Sequence, residues 1–224
     1  MISIIVPIYN EEKVLADQAA YFKKLSKQGE LIFVDGGSCD RSVEIARHYG
    51  RVLRAQKGRA RQMNWGGRFA KGVVLLFLHA DTTVEAQALK DIESRTKAAG
   101  IIGGCLTQRI DAEALSYRFI EQFGNVRARL SKVFYGDQGI FVRKDIFERS
   151  NGFPEVPIME DVLFSRNLKR LGQTAVLKHK VNSSARRWNK NGILRTAMLY
   201  SSLNILFWLK FPLNEIKRRY QDLR

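Results

Sequence analysis

The chain has 224 residues, 45% hydrophobic and 27% charged, which excludes a disordered or fibrous class and allows a core burying roughly 70% of the unfolded surface. Its formal charge of +16 asks for an anionic counterpart: nucleic acid, an anionic membrane surface or a phosphorylated substrate. The two cysteines, Cys39 and Cys105, match no metal-ligand spacing, so a reducing, cytoplasmic compartment is expected.

Residues 2–8 read as a buried strand that Pro7 helps to end. No signal-peptide core is expected there, because Glu11 and Glu12 close the apolar stretch early. Asn10 suits the N-cap of a helix over residues 11–26. Residues 31–34 form a second apolar run, ending in Asp35-Gly36-Gly37-Ser38-Cys39-Asp40, and Asp40 is placed to cap a helix through residue 48. A short strand at 52–53 and a helix over 58–71 follow.

The central stretch is next. Residues 73–78 are all large and apolar, the pattern of a parallel strand buried on both faces. The run stops at His79 and Asp81, where a parallel sheet gathers its ligands beyond the strand ends. Asp81 has two readings at this point, a metal or nucleotide contact and an N-cap for a helix starting near residue 84. Strand–helix alternation up to here argues for a doubly wound α/β sheet. Neither candidate turn carries Gly-X-Gly-X-X-Gly, which disfavours a dehydrogenase.

Residues 85–98 read as helix and 101–110 as strand. Residues 112–130 have helical spacing, with Leu115, Phe119, Phe123 and Val126 on one side. Asp137 and Gln138 belong to a turn that either is purely structural or lines an acceptor site. Glu160 and Asp161 open a helix that Gly172 ends. Asp161 also fits a plain first-turn carboxylate favoured by the helix dipole.

From Lys178 onward eleven cations face only Glu215 and Asp222, interleaved with large apolar residues. Such a segment suits a membrane interface, and equally a C-terminal helix packed on the domain. Its longest uncharged run, residues 196–209, is too short for the about 20 residues that span a bilayer. No recognition motif accompanies the cations, so nucleic acid is not an expected partner.

In chain order, Val6-Pro7-Ile8-Tyr9-Asn10-Glu11, Val34-Asp35-Gly36-Gly37-Ser38-Cys39-Asp40, His79-Ala80-Asp81, Glu160-Asp161 and Arg187-Trp188 resemble the family 2 glycosyltransferases of the GT-A fold. The His-Ala-Asp-Thr and Gly-Asp-Gln variants look like a bacterial subgroup of small single-domain members. The resemblance implies a mostly parallel central sheet flanked by helices, with a catalytic domain over residues 1–188 and a basic, amphipathic helical segment over 189–224.

By the same resemblance, Pro7, Tyr9 and Glu11 would wall the nucleotide pocket and Asp35 would contact base or ribose. Asp81, with His79, would hold a divalent metal (Mn²⁺ or Mg²⁺) on the diphosphate of a nucleotide-sugar donor, UDP-type first. Asp161 would be the general base of an inverting transfer, with Glu160 beside it. Arg187 and Trp188 would close over diphosphate or acceptor. Three positions depart from the family pattern: Gly36 replaces a second acidic residue, His79 the first Asp of the metal motif, and Ser184 a Gln or Arg. Imidazole at position 79 leans toward transition metals.

The chemistry asks for these groups. The departing diphosphate gains charge that a metal and nearby cations stabilise, and the incoming hydroxyl loses a proton to a positioned carboxylate. Arg59 and Arg61 are further phosphate candidates, against a reading as a solvated helix face. The expected acceptor is a small molecule or a lipid-like alcohol, with an anionic membrane face as a peripheral workplace. Two alternatives stay open: a nucleotidyltransferase-like enzyme, and a non-enzymatic basic module for membrane or nucleic acid.

Overall fold

The computed structural model describes residues 1–98 and 100–221, apart from the side chains of Arg187 and Gln221. In chain order the strands are β1 (Ile2–Ile8), β2 (Glu30–Asp35), β3 (Arg51–Arg54), β4 (Val74–Phe77), β5 (Thr82–Val84), β6 (Gly103–Asp111), β7 (Ile140–Arg143) and β8 (Thr174–Ser184). The helices of the first half are α1 (Glu12–Asp17), α2 (Ala19–Leu25), α3 (Ser42–Arg47), α4 (Arg59–Phe69) and α5 (Ala86–Ala98). Those of the second half are α6 (Leu115–Ser131), α7 (Lys144–Arg149), α8 (Glu160–Leu171), α9 (Arg186–Asn191), α10 (Ile193–Trp208) and α11 (Leu213–Gln221).

One eight-stranded sheet runs in the order β3-β2-β1-β4-β7-β6-β8-β5. The β3-β2-β1-β4 half is parallel, as the apolar runs predict. The other half is mixed: β7 runs antiparallel to both β4 and β6, β8 is parallel to β6, and β5 is antiparallel to β8. At Gly104 a β-carbon would lie 1.8 Å from the Ala175 carbonyl oxygen, so only glycine lets β6 come this close to β8.

Alternation along β1 explains the two packed layers. Ile4, Val6 and Ile8 meet Phe22, Leu25 and Ile92 from α2 and α5, while Ile5 faces Met63, Phe147 and Phe164 from α4, α7 and α8. Each fully buried side chain of this kind is worth about 1.5–3 kcal/mol. A third cluster joins Leu203, Phe207 and Ile216 of the C-terminal helices to Val133 and Val162, so the tail docks on the domain along one side. Among the described residues, no helix is long and apolar enough to cross a membrane.

Several local expectations need correction. Val73 lies before the strand and is 58% exposed, so the doubly buried run begins at Val74. The first helix is broken at Gln18 into α1 and α2. Asn10 does not cap it: its backbone is left-handed at φ 52°, and its side-chain oxygen accepts the Cys39 N–H at 2.9 Å, tying two loops together. Asp81 caps no helix, because β5 follows it directly and α5 begins only at Ala86.

The apolar stripe of α6 points outward, whereas such a stripe ordinarily faces a core. Beyond Gly104, β6 has no strand on its β7 side, and an exposed edge N–H must find a partner. Two α6 side chains supply it: Asn125 accepts the Gln108 N–H at 2.8 Å and returns a bond to the Gln108 carbonyl, and Glu121 accepts the Ile110 N–H at 2.5 Å. The polar side of the helix therefore turns inward.

Candidate active site

The ends of β1, β2 and β4 deliver three loops to one edge of the sheet. The first two are zipped together. Asn10 and Glu11 donate their N–H groups to the Ser38 and Ser42 hydroxyls, and Glu12 donates its N–H to Asp40. Asp40 sits low in pKa: burial opposes this, and the hydrogen bonds from Ser42 and the Glu12 N–H prevail. Asp35, buried at the end of β2, accepts the Gly37 and Ser38 N–H groups at 3.1 and 3.0 Å, which is an Asx turn. Gln62 on α4 locks the same edge by donating to the Ile8 and Val34 carbonyls at 2.9 and 2.7 Å.

The β4 loop faces a second group of residues. A pocket there is lined by Arg59, Met63, Phe77, His79, Gly136, Ile140, Phe153 and Asp161. Its floor is apolar, and its polar groups come from the first turns of α4 and α8 and from the β4 loop. Asp161 is held in place: Oδ2 accepts the Gly136 N–H at 2.7 Å and Oδ1 the Val162 N–H at 2.7 Å. Each carboxylate oxygen has a second lone pair, so the group can still take a proton or a hydroxyl hydrogen. A β-carbon at Gly136 would lie 2.8 Å from His79 Nε2 and 3.5 Å from Asp161 Oδ2, which sets how near the two side chains are.

Glu160 is buried beside Asp161, and Arg59 approaches it at 3.6 Å. Burial pushes the Glu160 carboxyl up, Arg59 pulls it back, and the Asp161 charge adds to the rise. Behind Gly136, the 136–138 turn buries Asp137, whose pKa is raised by burial and then by Asp161, against the lowering hydrogen bond from Gln108. Its Oδ1 has no hydrogen-bond partner among the described residues. Tyr135 continues the network outward, carrying the Arg127 guanidinium 3.7 Å over its ring and donating its hydroxyl to Asn204 of α10.

The remaining sequence candidates are distributed unevenly. Asp81 follows His79 by two residues, and among the described residues no hydrogen bond or ion pair holds its carboxylate. Pro7 pairs with Val34 inside the sheet, Tyr9 lies under Lys57 Nζ at 3.7 Å, and Glu11 precedes α1. Arg61 is engaged away from the pocket by Glu155 at 2.9 Å and Gln56 at 3.0 Å. Trp188 packs edge-on to the rings of Tyr117 and Tyr200, and the side chain of Arg187 lies outside the described residues. Sequence reading passed over Gln62, Gln108 and Tyr135. For Gln62 a signal existed: it shares the buried helix face of Met63 and Gly66, where glutamine needs a reason to be.

Among the described residues, no group of three or more His, Cys, Asp or Glu side chains forms a metal cage. A carboxylate and an imidazole two residues apart can hold a divalent cation whose remaining coordination comes from phosphate oxygens and water.

Comparison with known proteins adds the following. The family model described as glycosyl transferase family 2 matches residues 3–150. Glycosyltransferase AglE of Haloferax volcanii is 26% identical over 198 residues, covering 80% of this chain and 65% of that protein. Glycosyltransferase GlyG of Streptococcus pneumoniae serotype 4 is 31% identical over 115 residues, covering 46% and 38% respectively. The crystal structure of S. aureus TarS 1-349 in complex with UDP-GlcNAc superposes with a TM-score of 0.63 at 18% identity, covering 82% of this chain and 58% of that one. Mannosyltransferase PcManGT from Pyrobaculum calidifontis, in complex with GDP-Man and Mn²⁺, gives 0.61 at 17% identity, covering 82% and 56%. The chain thus spans less than two thirds of the length of these relatives, and the structural likeness establishes the GT-A fold.

Proposed function

The chain belongs to glycosyl transferase family 2, and on that premise we propose that it moves a sugar from a nucleotide-diphosphate donor to an acceptor hydroxyl with inversion. The observation that carries this reading is the meeting of His79, Asp161 and Arg59 around one pocket, each from a different part of the chain. Asp161 is the general base: two backbone N–H groups orient its carboxylate, and the acceptor hydroxyl surrenders its proton to a free lone pair as it attacks the anomeric carbon. A single displacement needs one such base, unlike a retaining hydrolase with its second, nucleophilic carboxylate. Glu160 and Arg59 set the charge beside it.

Asp81 and His79 would hold the divalent metal, which when bound offsets the charge growing on the departing diphosphate. Arg59, at the start of α4 and lining the same pocket, is the protein's own cation for that charge. Asp35 and the Tyr9 turn form the nucleoside side, and the acceptor is a small or lipid-like alcohol met at a membrane face. A UDP-type donor is the first choice, in line with the UDP-GlcNAc bound to TarS, and the GDP-Man bound to PcManGT keeps GDP-sugars in view.

Thermal stabilisation by a panel of UDP-, GDP- and dTDP-sugars, with and without Mn²⁺, tests the proposal. One nucleotide class at about 100 times its dissociation constant should add about 2.7 kcal/mol, and only with metal. Stabilisation by none of them, or by every polyanion alike, would discard the transferase reading for a basic binding module.

A further inference from the structure

We propose that α6 and the α9–α10 segment together form a docking face for an anionic lipid bilayer. On α6, Leu115, Phe119, Phe123, Val126 and Leu130 make one stripe four turns long, with Phe119 77% and Phe123 76% exposed. The stripe is held outward by design of the other side, since Glu121 and Asn125 are committed to the β6 edge. A second stripe, Leu194, Met198 and Ile205 on α10 with Leu209 at its C-terminal cap, is exposed as well. The C-terminal segment is tied to this side of the domain at two points: Tyr117 of α6 donates its hydroxyl to Asn189 of α9 at 2.7 Å, and Tyr135, four residues beyond α6, donates to Asn204 of α10 at 2.5 Å. Monomeric soluble proteins rarely leave apolar stripes of this length uncovered.

Charge selects the occupant. Residues 186–214 contain no acidic residue, and the single acid of α6, Glu121, is buried against Arg118. Arg129 on α6, Arg195 on α10 and Lys210 just beyond α10 stand exposed. A second copy of the chain would bring a cationic rim against a cationic rim, which repels, whereas anionic headgroups complement it. Apolar residues in the acyl boundary with cations at headgroup level is the arrangement of interfacial helices that lie on a bilayer without spanning it.

The inference deepens the transferase reading by naming its membrane partner, and vesicle binding is read without any sugar transfer, so either can fail alone. The full chain is floated with phosphatidylcholine vesicles, with and without phosphatidylglycerol, at low and high salt. Binding is expected only with the anionic lipid, falling as salt rises. The double substitution Phe119→Ser, Phe123→Ser should weaken it about tenfold or more while leaving the melting temperature and nucleotide binding unchanged. Three results would overturn the proposal: a wild type indifferent to both vesicle types, a variant that floats as well as wild type, or a wild-type dimer that the variant splits into monomers.

Discussion

His79 and Asp161 approach one another across Gly136, whose missing β-carbon would lie 2.8 Å from His79 Nε2 and 3.5 Å from Asp161 Oδ2. The β4 loop supplies the first, the opening turn of α8 the second, and the turn before β7 passes between them. Because β7 is inserted next to β4 in the sheet, that turn arrives at the β4 loop at close range. The site depends on a residue with no side chain.

Gly136→Ala should therefore strike the site more than the fold. The added methyl meets an imidazole nitrogen inside contact distance, so His79 must shift or the turn must open. Overpacking of this sort costs about 1–3 kcal/mol. Metal-linked nucleotide stabilisation should drop sharply, while the melting temperature without ligand falls only a few degrees. Full retention of the metal-linked shift would mean that His79 plays no part in holding the diphosphate.

Asp81→Asn should abolish metal-linked stabilisation, since amide oxygen replaces the one carboxylate of the β4 loop and a hard cation loses its charged ligand. The apo protein should melt unchanged, because among the described residues nothing bonds to the Asp81 side chain. His79→Ala should weaken Mn²⁺ more than Mg²⁺, imidazole being a ligand for the former class. Equal nucleotide shifts in wild type and both variants would remove the metal from the mechanism.

Much of the parallel half was legible from composition alone. Strands β1, β2 and β4 are predominantly apolar, the pattern expected of a strand covered on both faces. The acidic residues after β2 and β4 could be located because the chain must turn there. The mixed half was opaque: no periodicity in residues 112–130 announces that Glu121 and Asn125 will serve a strand edge and send the apolar side outward. The sequence marks Asp137 and Gln138 as turn residues without placing Asp137 in the interior, because its partner Gln108 lies 29 residues away on β6. The nearness of His79 to Asp161 likewise rests on sheet order, which spacing along the chain does not encode.

Arg59 and Glu160 give a pH-dependent prediction. Burial raises the Glu160 carboxyl, and a carboxyl raised above its unfolded value stabilises the fold at low pH and loses that contribution as pH climbs through the folded pKa. Arg59→Met removes the cation that opposes the rise. The variant should be about 1–2 kcal/mol less stable at neutral pH, a figure kept below that of a fully buried pair because Arg59 is partly exposed. The deficit should shrink on acidification as Glu160 protonates. Melting temperatures taken across pH 4–8, a range of about four units around the carboxylate values, would show it; a deficit independent of pH would point to lost packing instead.

Asp137 predicts the opposite sign. Its carboxyl is raised by burial and by the neighbouring Asp161, so at neutral pH its ionised form burdens the folded state. Asp137→Asn keeps an oxygen for the Gln108 amide and removes the charge. Stability at neutral pH should rise by about 1–3 kcal/mol, with the gain fading toward acid pH where wild-type Asp137 is protonated too. A residue that costs the fold this much is worth retaining only where it serves activity, so kcat should fall in the same variant. Unchanged stability and unchanged kcat together would make Asp137 a plain turn residue.

Asp161→Asn separates binding from chemistry. The amide can be accommodated with its oxygen toward the Gly136 N–H, so the turn, the pocket and the donor site should survive. Metal-linked stabilisation by the preferred nucleotide should match wild type. Turnover should fall by about 10²–10⁴-fold, the usual worth of a positioned general base, with little change in donor KM. The Val162 N–H then faces the amide nitrogen rather than Oδ1, a local cost that thermal unfolding would register as a small loss. If the variant transfers sugar at the wild-type rate, the proton goes elsewhere, and buried Glu160, raised in pKa and one residue away, becomes the group to replace next.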